Sequence, residues 1–102
     1  GTINMSTLHL VRKSAFTTND FAQCLSVLDQ QDAIVLMDDG CYNLKHPLMD
    51  SLMKRANSTV SINVIANHAQ ARAIETLAAV NKIKMNDVVD LTFNHQKVIT
   101  WQ

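Results

Sequence analysis

Ala33-Ile34-Val35-Leu36-Met37, running into Asp38-Asp39-Gly40, is the stretch that decides the fold. Five apolar residues in succession, with no polar alternation, suit a strand buried on both faces, as the inner strands of a parallel sheet are. The acidic pair and glycine that end the run read as a turn, with Asp39-Gly40 making the reversal.

Working outward toward the start, Leu8-His9-Leu10-Val11 opens an earlier β-prone segment. Thr17-Thr18-Asn19 gives a helix N-cap signal. Beyond it Phe21, Cys24, Leu25 and Leu28 fall at i, i+3, i+4 and i+7, one face of an amphipathic helix. Toward the end, His46-Pro47 opens a second helix, proline being tolerated in the first turn. Its apolar stripe is Leu48, Met49, Leu52 and Met53. Residues 60–66 are rich in β-branched side chains and read as a strand. Asn67 with Gln70 resembles a capping box for a third helix, with Ile74, Leu77 and Ala78 as its face. A weaker strand is expected over residues 83–85, a short helix capped by Asn86 through Leu91, and a last strand over 97–101. Strand and helix alternate about four times with short connections. The expectation is an α/β protein: one three-layer α/β/α domain with a mostly parallel sheet of about five strands and a flavodoxin-like topology.

At 102 residues the chain has room for one domain, which buries only roughly 65% of its unfolded surface, so a permanent partner is useful to it. Nine basic side chains meet nine acidic ones, for a formal net charge of zero. Nucleic-acid binding by electrostatics alone calls for a basic surplus, so contact with RNA is expected only through another subunit. No apolar run approaches the roughly 20 residues of a membrane helix. Gly1-Thr2-Ile3-Asn4 carries no signal-peptide pattern and reads as a cloning remnant, which makes Met5 the native start and 5–102 the domain. Without an export signal the two cysteines are expected reduced, in the cytoplasm.

Only two glycines are present. A dinucleotide fingerprint or a P-loop needs several, so that backbone amides can approach phosphate, and neither can be built here. The histidines at 9, 46, 68 and 95 share no metal-ligand spacing with one another or with the cysteines. No metal and no cofactor is therefore expected. Asp38-Asp39 at a strand end would suit a Mg²⁺ site of the response-receiver type; the turn is the favoured reading. The segment from Arg12 to Asn19 would suit an anion or a flavin phosphate at a helix start, against the plainer reading of a basic turn followed by an N-cap.

Taken in order, Thr7-Leu8-His9, Lys13-Ser14-Ala15-Phe16, Val35-Leu36-Met37-Asp38-Asp39-Gly40, Val89-Asp90-Leu91-Thr92 and a closing segment ending at Trp101 resemble the DsrH/TusB family. This is a branch of the DsrE-like fold, and the likeness runs from Met5 onward. It implies a subunit of a sulfur relay, in which a persulfide passes between cysteines of successive proteins. The default acceptor is the wobble uridine of certain transfer RNAs, by 2-thiolation. The resemblance also implies two partners, DsrE/TusD-like and DsrF/TusC-like subunits, in a two-of-each heterohexamer whose persulfide cysteine belongs to the DsrE/TusD-like member. This chain is then an accessory subunit. The chain departs from the family pattern at Ala15, where proline often follows the serine, and at Cys41, where an apolar residue is usual. It departs again at Ala73, where a glycine often ends the third helix; its absence is expected to lengthen that helix.

Sulfur transfer needs an exposed thiolate. Cys24 aligns with a cysteine of some DsrH-type members, yet its spacing puts it on the apolar helix face. Cys41 follows the central strand at the sheet edge where α/β proteins place their chemistry. Cys24 is the first candidate relay thiol and Cys41 the second. The alternatives to the accessory role are a DsrH-type component of a cytoplasmic sulfur-oxidation pathway using Cys24, and a flavodoxin-like FMN- or anion-binding domain. Trp101 suits either a subunit interface or the end of its own sheet.

Overall fold

The computed structural model describes residues 6–55 and 59–102. The reading of residues 1–4 as a remnant and of Met5 as the start lies outside the described residues. The central apolar run forms β2 (Ala33–Leu36), every residue of it buried. It is flanked by β1 (Thr7–Val11) and β3 (Ser61–Ile65); β4 (Asn81–Ile83) and β5 (Lys97–Trp101) form the edges. The order is β4-β3-β2-β1-β5 and all four pairings are parallel. The flavodoxin order is 2-1-3-4-5; here the first four strands lie in simple succession and β5 returns to the far side of β1.

That succession sorts the helices. α1 (Asp20–Ser26), a 3-10 helix (Asp38–Lys45), α2 (Pro47–Arg55) and α3 (Ala66–Ala71) follow β1 to β3. Their apolar residues, Phe21, Cys24, Leu25, Cys41, Leu44, Met49, Leu52 and Ala69, pack with Val11, Ile34, Leu36, Ile62 and Val64 on one face. Among the described residues the other face, Leu8, Ala33, Val35 and Ile65, carries only α4 (Met85–Asn94), through Val88 and Leu91. Period-two alternation along each strand sends successive residues to these two layers.

Five expectations are corrected. The third helix does not run on through Ile74, Leu77 and Ala78. It stops at Ala71, and Ala73 takes a φ of 54°, the left-handed conformation that glycine usually supplies at a helix end. Alanine does the same job here at a steric cost of about 1–2 kcal/mol. The lengthening expected from the missing glycine therefore does not occur, and Ile74 is buried from an irregular segment. Nor do Asn67 and Gln70 form a capping box, since the N-cap is Ile65 and makes no side-chain cap bond. Thirdly, Asp38-Asp39-Gly40 does not simply reverse the chain but opens an eight-residue 3-10 helix. At its start Asp38 has a φ of 50°. The fourth strand lies two residues earlier than expected, and α4 runs on to Asn94 with Lys84, not Asn86, at its N-cap. There the Lys84 N–H donates to the Asp87 carboxylate at 2.9 Å.

Candidate functional site

The C-terminal ends of β1, β2 and β5 meet the start of the 3-10 helix. A Cβ on Gly40 would lie 2.0 Å from the Val11 carbonyl oxygen, so only glycine lets the 3-10 helix close on β1. The Gly40 N–H donates to the Arg12 carbonyl at 3.1 Å, and Met37 N–H to Val11 at 3.0 Å. Above this junction lies a cleft of about 450 Å³ lined by Arg12, Lys13, Asp38, Asp39, Arg72 and Gln102. The acidic pair is spoken for within it. Arg12 Nε donates to Asp38 at 2.8 Å, Arg72 Nε to Asp39 at 3.0 Å, and Arg12 Nη1 to Gln102 at 2.8 Å. The Asp38 N–H donates to His68 Nδ1 at 3.0 Å. Carboxylates held by guanidinium groups fit a braced turn better than a Mg²⁺ site, which needs open oxygen ligands. Among the described residues no group of three or more His, Cys, Asp or Glu is arranged to hold a metal ion.

Cys41 lies under the cleft in the 3-10 helix. It is fully buried, with its Sγ 3.8 Å from the Leu36 carbonyl oxygen. Burial pushes its thiol up to about 11, and Asp38 and Asp39 add to the rise against the opposing charge of Arg72. Cys24 sits on the inner face of α1, equally buried; burial, with help from Asp32, raises its thiol to about 12. The i, i+3, i+4 spacing foretold the place of Cys24. The burial of Cys41 was not legible, because it depends on the 3-10 helix turning that side chain beneath the strand ends. Both thiols are unpaired and belong to the same apolar layer.

The loop between β1 and α1 is closed on itself. Asn43, fully buried, accepts from the Ala15 N–H at 2.7 Å and donates to the Lys13 carbonyl at 3.2 Å. Phe16 N–H donates to Ser14 Oγ, Thr17 and Thr18 N–H to the Ser14 carbonyl, and Asp20 N–H to Thr18 Oγ1. These amides of the loop before the helix, with that of Asp20 at its first position, are engaged inside the protein and so are not free for an anion or flavin phosphate.

A second polar group, missed in the sequence, is buried at the opposite end of β1. Asp32 accepts from the Thr7 N–H at 2.9 Å, the Asp29 N–H at 3.0 Å and His9 Nε2 at 2.9 Å. The Trp101 indole N–H donates to His9 Nδ1 at 3.1 Å. Since an indole nitrogen only donates, Nδ1 must accept, and the His9 proton resides on Nε2 facing Asp32. Burial alone would raise the Asp32 carboxyl, but the bonds from Asp29, His9 and Thr7 outweigh it and hold it below its ordinary value. Trp101 thus serves its own sheet, tying β5 to β1. The sequence signal for this group was the polar His9 inside an otherwise apolar strand.

The other surface of note is on α4. Met85, Val89 and Phe93 recur at i, i+4 and i+8 and stay exposed, Phe93 at 81%. The spacing was in the sequence, but Val88 and Leu91 alone account for the helix's inner face.

A sequence profile of the family described as DsrH like protein matches residues 13–98. No curated protein matches the chain by sequence. Among solved structures the fold resembles protein Tm0979 from Thermotoga maritima, solved by solution NMR. It is 18% identical, with 86% of this chain and 92% of that one covered and a TM-score of 0.58. It also resembles the ychN protein from E. coli, solved by crystallography. That protein is 16% identical, with 94% and 99% covered and a TM-score of 0.66.

Proposed function

This chain belongs to the DsrH-like family of sulfur-relay subunits, and we propose that it is an accessory member of its relay rather than a carrier of sulfur. The observation that supports this most is the state of its thiols. Cys24 and Cys41 are both fully buried and pushed up to about 12 and about 11. At neutral pH the thiolate fraction is then on the order of one part in ten thousand or less. A thiol that must attack or carry sulfane sulfur needs the opposite, exposure and a lowered pKa. The persulfide belongs, in this reading, to a DsrE/TusD-like partner, with a DsrF/TusC-like subunit completing a two-of-each cytoplasmic heterohexamer.

The acceptor we propose is the wobble uridine of transfer RNA, reached through the partners. Zero net charge fits this indirect contact, since the chain has no basic surplus to hold RNA by itself. The test is sulfur transfer by the intact complex carrying Cys24→Ala and Cys41→Ala together. Alanine is chosen because a buried serine hydroxyl would bring its own desolvation cost. Transfer is expected to stay within about two-fold of wild type, and the intact mass of the wild-type chain after incubation of its complex with a sulfur donor should show no added sulfur. A collapse of transfer with assembly unchanged, or a +32 Da adduct on Cys24, would overturn the accessory reading.

A further inference from the structure

Among the described residues, one sheet face is covered by three α-helices and a 3-10 helix, the other by α4 alone. A five-stranded sheet is about 20 Å across and a helix about 10 Å, yet Leu8, Ala33, Val35 and Ile65 on that face are buried, so the exposed apolar surface lies on α4 itself and on the edge strand β5. α4 itself carries apolar side chains in two directions. Val88 and Leu91 pack on the sheet, while Met85, Val89 and Phe93 expose 47%, 54% and 81% of their surface, and Val98 on β5 exposes 42%. A helix apolar on more than its sheet-facing side is normally one that is buried in an assembly. The exposed part of the four side chains comes to on the order of 400 Å², within the range of patches that mark interaction sites. It is about half of the ~800 Å² each partner contributes to a stable interface.

We propose that the Met85–Val89–Phe93 stripe of α4 is the surface on which this chain docks a partner subunit, through a partner helix whose apolar stripe is flanked by lysine or arginine. The inference rests on the reading of the chain as a member of a mixed assembly, and it adds the place and the chemistry of the contact. Charge selects the occupant. α4 carries Asp87 and Asp90 and no basic residue, and Asp90 borders the stripe by helical position, beside Asn86 and Phe93. A two-fold pairing with a second copy would bring Asp90 toward its own image with no cation on either helix to offset it. A helix with basic flanks meets the same stripe with favourable charge.

The experiment uses the tagged full chain expressed at natural level in its own cells, with the native mass of the purified material as readout. Val89→Glu combined with Phe93→Glu should lower recovery of the mixed assembly at least ten-fold while leaving the chain soluble with a wild-type far-UV spectrum. Asp90→Lys should weaken recovery several-fold. Val27→Glu, at a site equally exposed on the opposite layer, should leave recovery unchanged. A photo-crosslinking amino acid in place of Phe93 should form a covalent adduct with a small α/β subunit, and one in place of Val27 should not. This arm decides the matter if the double variant does not fold. A mixed assembly that survives the double substitution, or an adduct only at 27, overturns the proposal and leaves the subunit reading standing. A self-dimer that the double variant dissolves overturns it by seating a second copy there. A wild-type chain recovered alone overturns both.

Discussion

The two faces of the sheet are built to different standards. On the first, Val11, Ile34, Leu36, Ile62 and Val64 pack with helices of the same chain, and Phe21, Cys24, Ile34, Leu36 and Leu52 are fully buried. On the second, Leu8, Ala33, Val35 and Ile65 are buried as well, but the one covering helix leaves its own Phe93 exposed, and Val98 on the edge strand beside it is open. The difference follows from topology. Three successive crossovers step β1 to β4 in one direction and lay their helices on one side, as right-handed connections do. Only the return from β4 to β5 crosses the other side. Among the described residues, one layer holds several helices and the second a single one.

The largest expected effect comes from setting a phenylalanine of one face against a phenylalanine of the other. Phe21→Ala, on the closed face, should destabilise the chain by about 3–5 kcal/mol, read as a lowered urea midpoint at unchanged slope. Phe93→Ala, on the open face, should cost the isolated chain less than about 0.5 kcal/mol. Equal losses at the two positions would break the distinction between the faces.

Next in size is the polar group anchored beneath the closed face. Asp32→Asn turns an amide NH₂ or a weaker acceptor toward three donors, from Thr7, Asp29 and His9. It should cost about 2 kcal/mol at pH 7. The Asp32 carboxyl is held below its ordinary value in the folded chain. Its contribution is therefore present above the unfolded pKa, about 3.9, and is lost as pH falls through the folded value. The gap in stability between wild type and variant should be widest near neutrality and narrow below about pH 4. A gap independent of pH would mean that the charge of Asp32 plays no part.

The smallest effect is expected at Ala73, whose φ of 54° glycine adopts without strain. Ala73→Gly should raise the unfolding midpoint by about 1 kcal/mol equivalent or less, since relief of strain is partly offset by the freer unfolded chain. A clear loss of stability would show that the left-handed turn is not strained.

What the sequence made legible, and what it did not, divides along the same lines. β2 and β5 were readable because apolar or β-branched runs of strand length have few other uses, and the inner face of α1 because Phe21, Cys24 and Leu25 keep strict helical spacing. The 3-10 helix was not, since Asp38-Asp39-Gly40 also fits a plain reversal. Its existence depends on Gly40 closing onto the Val11 carbonyl from a distant strand. α3 was overextended because an alanine, which favours helix, occupies the left-handed position that ends it. Of the candidate site, the apolar setting of Cys24 was legible from periodicity. The burial of Cys41, the engaged amides after Ser14 and the His9–Asp32–Trp101 group all depend on residues brought together from separate strands and loops.

The exposed stripe of α4 and the buried thiols are both the marks expected of a supporting subunit in a larger relay. The most direct measurement is the native mass of the tagged wild-type protein drawn from its own cells at natural abundance. The expected result is a mixed assembly containing two kinds of small α/β partner, two copies of each chain. A lone monomer or a simple homodimer would contradict it.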